Sequence, residues 1–138
     1  MAWIDNADFL PSIRGTRLEQ LIDGDTSIQD NAVDSAVAII RDYLKDRYDV
    51  DAVFATTGAQ RPLNAVRWVM VVALYYLYER LPDNMMPKRI EANYVETIEF
   101  LGKVAAGDMS VDLPRLPDGD GDGFLTKFKW GSDVRRSL

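Results

Sequence analysis

Apolar residues recur at helical spacing along the first long stretch of the chain, from Ser27 to Tyr48. They follow one another at intervals of three and four, which is typical of a helix with one buried face. Charged residues such as Arg41 and Asp42 fall between them and form the opposite, solvated face. Ser27 is placed to begin this helix, because Asp30 then lies in the first turn, where a carboxylate suits the helix dipole. The apolar positions are Val33, Ala36, Val37, Ile40, Tyr43, Leu44 and Tyr48.

The second long stretch, residues 62–81, is apolar on almost every side. Its central run from Trp68 to Tyr78 contains no charged residue. A helix that is apolar all round must be covered all round, and a chain this short has few other helices with which to cover it. We therefore expect part of this helix to lie at contacts between subunits. The residues expected at these contacts are Val69, Val72 and Tyr76.

A third helix is predicted between Pro87 and Gly107, where apolar residues again repeat at intervals of three and four. Proline suits the first turn of a helix, and glycine suits its end. Residues 1–26 divide into short helical pieces, and residues 49–62 are predicted to form a loop long enough to be a functional element. These elements predict an all-α protein: a small helical bundle of three long helices plus short N-terminal helices.

The chain changes character after Gly107. Prolines and glycines become frequent, no helical period is found, and apolar side chains alternate from Phe124 to Trp130. Such alternation is typical of a β-strand. A single strand needs the edge of another sheet to form hydrogen bonds with its backbone N–H and C=O groups. We therefore divide the chain into a helical domain, residues 1–107, and an extended C-terminal docking arm, residues 108–138, that adds a strand to a partner.

The end of the docking arm is basic and aromatic. Residues 127–136 hold four basic residues and one acidic residue beside aromatic side chains. Aromatic and arginine side chains are enriched among the residues that dominate protein interfaces, so we expect this part to contact an acidic partner surface. A basic tail that touches nucleic acid is the alternative. The residues predicted to contact a partner are Phe124, Lys127, Phe128, Lys129, Trp130, Arg135 and Arg136.

An Asp-Gly repeat at residues 118–123 matches the first half of an EF-hand calcium loop. Asp118, Asp120 and Asp122 occupy the positions of the first three carboxylate ligands, and a glycine follows as that loop requires. The twelfth position, however, is Lys129 where a bidentate glutamate is needed. A calcium-binding interaction module is therefore the alternative function, and an acidic turn between two extended pieces is the simpler interpretation.

The amino-acid composition excludes most common kinds of catalytic site. The chain has no cysteine and no histidine, which excludes thiol nucleophiles, zinc–thiolate sites and every triad built on histidine. We therefore expect no enzyme and no cofactor, and a hydrolase that uses carboxylates is the remote alternative. The first residues lack the basic and apolar regions of a secretory signal, and the longest uncharged apolar run is shorter than the roughly 20 residues that span a bilayer. We expect a protein made in a cytoplasm, with no membrane partner.

The balance of charge opposes tight binding to nucleic acid. The net charge is −6, and the sequence pI is about 4.6. Binding to the DNA backbone rewards clustered lysine and arginine, which the body of this chain does not have. An acidic protein of this kind suits a surface along which DNA passes without being held.

The order of several segments resembles the small head–tail connector proteins of tailed bacteriophages, also called adaptor or head-completion proteins, and especially the Mu-like branch. No single segment is a signature, but together they run through most of the chain. The segments are Ala7-Asp8-Phe9-Leu10, Leu21-Ile22-Asp23, Ile40-Arg41-Asp42-Tyr43-Leu44-Lys45-Asp46-Arg47-Tyr48, Leu77-Tyr78-Glu79-Arg80, Tyr94 with Ile98-Glu99-Phe100-Leu101, and Ala105-Ala106-Gly107.

This resemblance implies a structural protein of the virion neck that is present in the host cytoplasm during assembly. Its copies would form a ring, a dodecamer in such families, beneath the phage portal protein and above a tail-side connector or tail terminator. Double-stranded DNA would pass through the ring without specific binding. Like charge would keep the DNA from adhering to the channel wall, for which the acidic turns of the early chain or the loop at 49–51 are the candidates. The residues expected to face the channel are Asp23, Asp25 and Asp30.

Overall fold

A computed structural model describes residues 3–9, 12–82 and 85–117, and within these ranges the chain forms helices and no strand. Three helices are long, as the apolar periodicity predicts, and short helices precede them. The prediction of an all-α helical bundle is confirmed. The elements are α1 (Asn6–Phe9), α2 (Gly15–Ile22), α3 (Thr26–Leu44), α4 (Val50–Ala55), a 3-10 turn (Gly58–Gln60), α5 (Leu63–Glu79) and α6 (Lys88–Ala106).

Side chains and a glycine fix the ends of the long helices. Asp25, not Ser27, caps α3: its carboxylate accepts hydrogen bonds from the Ser27 backbone N–H at 2.9 Å and from the Ser27 hydroxyl at 2.7 Å. Helix α6 ends at Gly107, which adopts the left-handed conformation with φ of 87°. The left-handed turn favours glycine, and a Cβ at this position would lie 2.6 Å from the Arg47 guanidinium, which would have to move aside.

Helix α5 lies at the centre of the bundle and is covered by its own chain. It packs against α3 and α6 on two sides, and α1 and α2 contact it as well. Val69 and Val72 are 0% exposed. In the single chain these two valines therefore have no surface to offer a neighbour, and their predicted place at a subunit contact stays a prediction. Tyr76 differs from them, since it is only half-buried.

Residues 49–62, predicted as a loop, contain helix α4 and the 3-10 turn. Asp49 caps α4, since its carboxylate accepts a hydrogen bond from the Ala52 backbone N–H at 3.1 Å. Val50 and Val53 anchor the helix in the core. Val50, Val53 and Phe54 stand at helical spacing, but six residues are too few to establish a period, so the sequence pattern missed this helix.

The beginning of the segment assigned to the docking arm packs on the bundle. The Asp49 backbone N–H donates to the Pro114 carbonyl at 2.8 Å, and the Val111 N–H donates to the hydroxyl of buried Tyr48 at 2.9 Å. Leu113 is buried in the same core. Residues 108–117 therefore belong to the folded body, and the docking function predicted for the rest of the arm concerns residues 118–138, outside the described part of the chain.

Candidate functional site

An open groove of about 520 Å³ lies between the N-terminal segment, α3, α4 and the 3-10 turn. Its apolar lining consists of half-buried Trp3, Val37 and Phe54. The carboxylates of Asp5 and Asp34 lie at its exposed margin. We call this the Trp3–Phe54 groove. An apolar surface with acidic margins is suited to binding a chain segment that is both apolar and basic.

Arg61 holds the N-terminal segment against the rest of the groove. Its guanidinium forms two parallel hydrogen bonds to the Asp8 carboxylate, at 2.8 and 3.0 Å, and a third to the Trp3 carbonyl at 2.9 Å. Its Nε–H donates to the Gly58 carbonyl at 2.9 Å. The hydrogen bond from Arg61 lowers the pKa of the Asp8 carboxyl below its ordinary value. This arrangement joins parts of the chain that are more than 50 residues apart.

The aromatic side chains of the groove are held in defined orientations. The indole N–H of Trp3 donates to the Thr56 carbonyl at 2.9 Å, and its ring meets Phe54 edge-on with 4.7 Å between ring centroids. The Arg41 guanidinium lies 5.9 Å from the centre of the Phe54 ring and pairs with Asp51. The groove is thus preformed, so a ligand would bind without first ordering these side chains.

A second aromatic feature is a tyrosine cluster between α5 and α6. The rings of Tyr75 and Tyr94 stack with 3.9 Å between their centroids, and Tyr76 lies 6.4 Å from Tyr94. Burial raises the pKa of Tyr76 to about 12, and the neighbouring Tyr94 adds to the effect. Burial raises the pKa of Tyr94 as well. The phenols of Tyr76 and Tyr94 therefore stay protonated at neutral pH, so they can donate hydrogen bonds but cannot act as bases.

Tyr76 also lines a cleft of about 530 Å³ between α3 and α5, which we call the Tyr76 cleft. Asn31 and Ser35 form part of its α3 side. Arg80 closes one end of the cleft, where its guanidinium donates to the Leu21 carbonyl at 2.6 Å. Tyrosine and arginine are enriched at protein interfaces, so the cleft is a candidate protein contact surface.

The described ranges hold no arrangement that indicates catalysis. No group of three acidic side chains in them is placed to hold a metal ion. The shifted pKa values belong to capping or paired carboxylates, to Arg61 and to tyrosines, none of which forms an acid–base pair across a pocket. Among these same residues, no helix is long and apolar enough to cross a bilayer.

The three predicted channel-facing aspartates lie together at the corner between α2 and α3. Asp23 follows α2 in the left-handed conformation, and its carboxylate lies 4.0 Å from the Arg80 guanidinium. Asp25 is the cap of α3, and its hydrogen bonds with Ser27 lower the pKa of its carboxyl. Asp30 is half-buried in α3. Local roles thus account for two of the three residues, and a channel-facing role stays a prediction.

The remaining predicted site residues lie outside the described ranges. They comprise the candidate calcium ligands and the residues expected to contact a partner, so both assignments stay predictions. These residues are Asp118, Asp120, Asp122, Phe124, Lys127, Phe128, Lys129, Trp130, Arg135 and Arg136.

Sequence patterns missed the residues that build the Trp3–Phe54 groove. Trp3, Phe54 and Arg61 belong to three different segments, and no spacing in the sequence relates them. Only Arg61, an arginine in a turn between apolar segments, could have indicated the groove. The sequence offers it many possible acidic partners and does not single out Asp8. Tyr76 is predicted at a subunit contact from the sequence, but the stacking of Tyr75 on Tyr94 depends on how α5 and α6 pack.

Comparison with known proteins places the chain in a phage family. Searches of curated proteins and of solved structures give no match. A family described as "Bacteriophage Mu, Gp36" matches residues 3–123 of the 138 residues. This range includes every helix of the bundle, the Trp3–Phe54 groove and the Tyr76 cleft. The chain therefore belongs to the Bacteriophage Mu Gp36 family.

Proposed function

We propose that the protein is a head–tail connector: a non-catalytic virion component whose copies form a ring between the portal and the tail. The family match over residues 3–123 carries this proposal, because membership of that family indicates a structural or morphogenetic role in a phage. The connector role itself is supported by the order of sequence segments that resembles connector proteins. In this role the ring, of dodecameric type, encircles the DNA channel in the virion neck.

The Tyr76 cleft is the proposed contact between neighbouring subunits. Val69 and Val72 are enclosed by their own chain, so Tyr76 is the one residue of the predicted contact set with surface to offer. The cleft presents a tyrosine and Arg80 beside the small residues of α3. Tyrosine and arginine are enriched among residues that dominate binding energy, and a cleft of this size accepts a side-chain cluster from a neighbour.

The corner between α2 and α3 is the proposed lining of the channel. Asp23 and Asp25 are exposed there, and Asp30 follows in the next turn. Carboxylates along a channel repel the phosphates of DNA, so the DNA moves past without being held. The portal and a tail-side protein are the proposed neighbours on the two faces of the ring, with residues 118–138 contacting one of them.

Complementation of a phage that lacks this gene tests the proposal. Without the protein, we expect DNA-filled heads and separate tails in the lysate when it is viewed by electron microscopy. The wild-type gene should restore joined particles. Joined, infectious particles in the absence of the protein would contradict a connector role.

A pair of matched variants tests the subunit contact separately. Asn31→Arg places a long charged side chain at the mouth of the Tyr76 cleft, whereas Asn64→Arg makes the same change at the other end of α5. Both asparagines are exposed, so neither variant disturbs the core. We expect Asn64→Arg to restore joined particles and Asn31→Arg to fail. Equal complementation by the two variants would remove the Tyr76 cleft from the subunit contact and leave the connector role intact.

A further inference from the structure

The Trp3–Phe54 groove has the features of a binding site for an extended, basic and aromatic segment. Its half-buried aromatic rings present apolar surface, and they are fixed by hydrogen bonding and packing. The positive charge of Arg61 is matched by Asp8, and that of Arg41 beside Phe54 is matched by Asp51. The exposed Asp5 and Asp34 therefore leave the groove with an acidic margin. The groove thus combines apolar contact with a preference for positive charge.

The chain itself contains a segment of complementary composition. Residues 124–130 read Phe-Leu-Thr-Lys-Phe-Lys-Trp and combine four apolar side chains with two lysines and no acidic residue. Lysine stems can lie along apolar surface while their ammonium groups reach carboxylates at the margin. The whole chain has a net charge of −6, whereas this segment has a positive net charge.

The segment begins within reach of the groove. The Leu116 backbone N–H donates to the Arg47 carbonyl at 3.3 Å, which fixes the chain just before Pro117. Arg47 lies two residues, at most about 7 Å, before Asp49, the cap of α4. Phe54 lies near the other end of that short helix, about 8 Å further on. The seven residues from Pro117 to Phe124 can span up to about 25 Å. A tether of this length keeps the segment at a high effective concentration near the groove.

We propose that residues 124–130 bind in the Trp3–Phe54 groove of their own chain before the protein assembles. The aromatic side chains of the segment contact Trp3 and Phe54, and its lysines lie beside Asp5 and Asp34. This binding is independent of the connector role. If the protein is a connector, the segment leaves the groove when a partner in the neck engages it, and premature contacts of the docking arm are suppressed until then.

Disulfide trapping in the full-length chain tests the proposal, and the absence of native cysteine makes the readout clean. The variant Asp34→Cys/Lys129→Cys places one thiol at the margin of the groove and one in the segment. The control Ser35→Cys/Lys129→Cys moves the first thiol by one exposed residue, into the Tyr76 cleft. In the two variants nearly the same number of residues separates the cysteines. Random collisions alone should therefore form the two disulfides at similar rates.

We expect the Asp34→Cys pair to form an intrachain disulfide at least about tenfold faster than the control pair, since binding raises the local concentration of the second thiol. Adding Phe128→Ala to both variants should reduce this difference in rate, because the segment loses an aromatic contact with the groove. Equal rates for the two pairs would overturn the proposal. A product that is mainly interchain at micromolar concentration would overturn it too, because the occupant would then be the segment of a second copy.

Discussion

Replacing Arg61 by leucine should destabilise the whole bundle, although Arg61 lies in a turn. The change removes four hydrogen bonds, two of them to the Asp8 carboxylate, and leaves that carboxylate unpaired with 14% of its side chain exposed. Removing one partner of a buried ion pair costs about 3–5 kcal/mol, and this pair is partly exposed, so the lower end applies. We expect a loss of about 3 kcal/mol, which for a chain of this length lowers the Tm by about 10 °C.

Thermal and urea unfolding followed by circular dichroism measure this loss. The control is Arg67→Leu, an exposed arginine of α5 for which the described residues show no ion pair. A surface change of that kind should alter the free energy of unfolding by about 0.5 kcal/mol or less. In a double-mutant cycle with Asp8→Asn, the two losses should be less than additive by about 2 kcal/mol. Additive losses would refute the coupling between Arg61 and Asp8.

The ion pair between Arg61 and Asp8 predicts that the stability of the fold depends on pH. The pKa of Asp8 is lowered from 3.8 in the folded chain, chiefly by its hydrogen bond with Arg61, so the unfolded chain takes up a proton first as the pH falls. The contribution of the ionised carboxylate is therefore fully present above about pH 4–5 and is lost as the pH falls through the folded-state pKa. The stability difference between wild type and Arg61→Leu should shrink from pH 7 to pH 3. A constant difference would contradict the role of the ionised pair.

Three further changes test the packing of the bundle by urea unfolding. Gln29→Met should stabilise the fold by about 1 kcal/mol, because the Oε1 of this buried side chain has no hydrogen-bond partner among the described residues. A loss of stability would contradict this. Tyr48→Phe should cost about 1 kcal/mol, since the Val111 N–H loses its acceptor, and amide exchange at Val111 should rise. Gly107→Ala should cost about 1 kcal/mol, because φ is 87° and the Arg47 guanidinium must move, whereas Gly102→Ala within α6 should stabilise the helix. Equal effects at the two glycines would contradict this reasoning.

The long helices could be predicted from the sequence because burial on one face imposes a period on local residues. Gly107 ends α6 as glycine commonly ends a helix, and its position was predictable. The capping residue of α3 was assigned to Ser27 rather than Asp25, since both residue types can cap and only the backbone conformation distinguishes them. Local pattern thus gives the elements more reliably than their ends.

The arrangement of the helices around α5 could not be predicted in the same way. Apolar residues on every side of α5 indicated that it must be covered, but not by what. The short helices α1 and α2 contact α5 in addition to α3 and α6, and their apolar residues are too few to show this in advance. The Trp3–Phe54 groove likewise depends on contacts between distant segments, such as Arg61 with Asp8, which no local period encodes.

The native mass of the protein mixed with purified portal rings of the same phage tests the connector proposal most directly. A connector should add a fixed number of 15.6 kDa chains to each portal ring, and the full complement should appear without intermediates if the ring assembles cooperatively. The Asn31→Arg variant should add fewer chains or none, whereas Asn64→Arg should behave as wild type. A portal mass that stays unchanged at saturating concentrations of the wild-type protein would contradict the connector role.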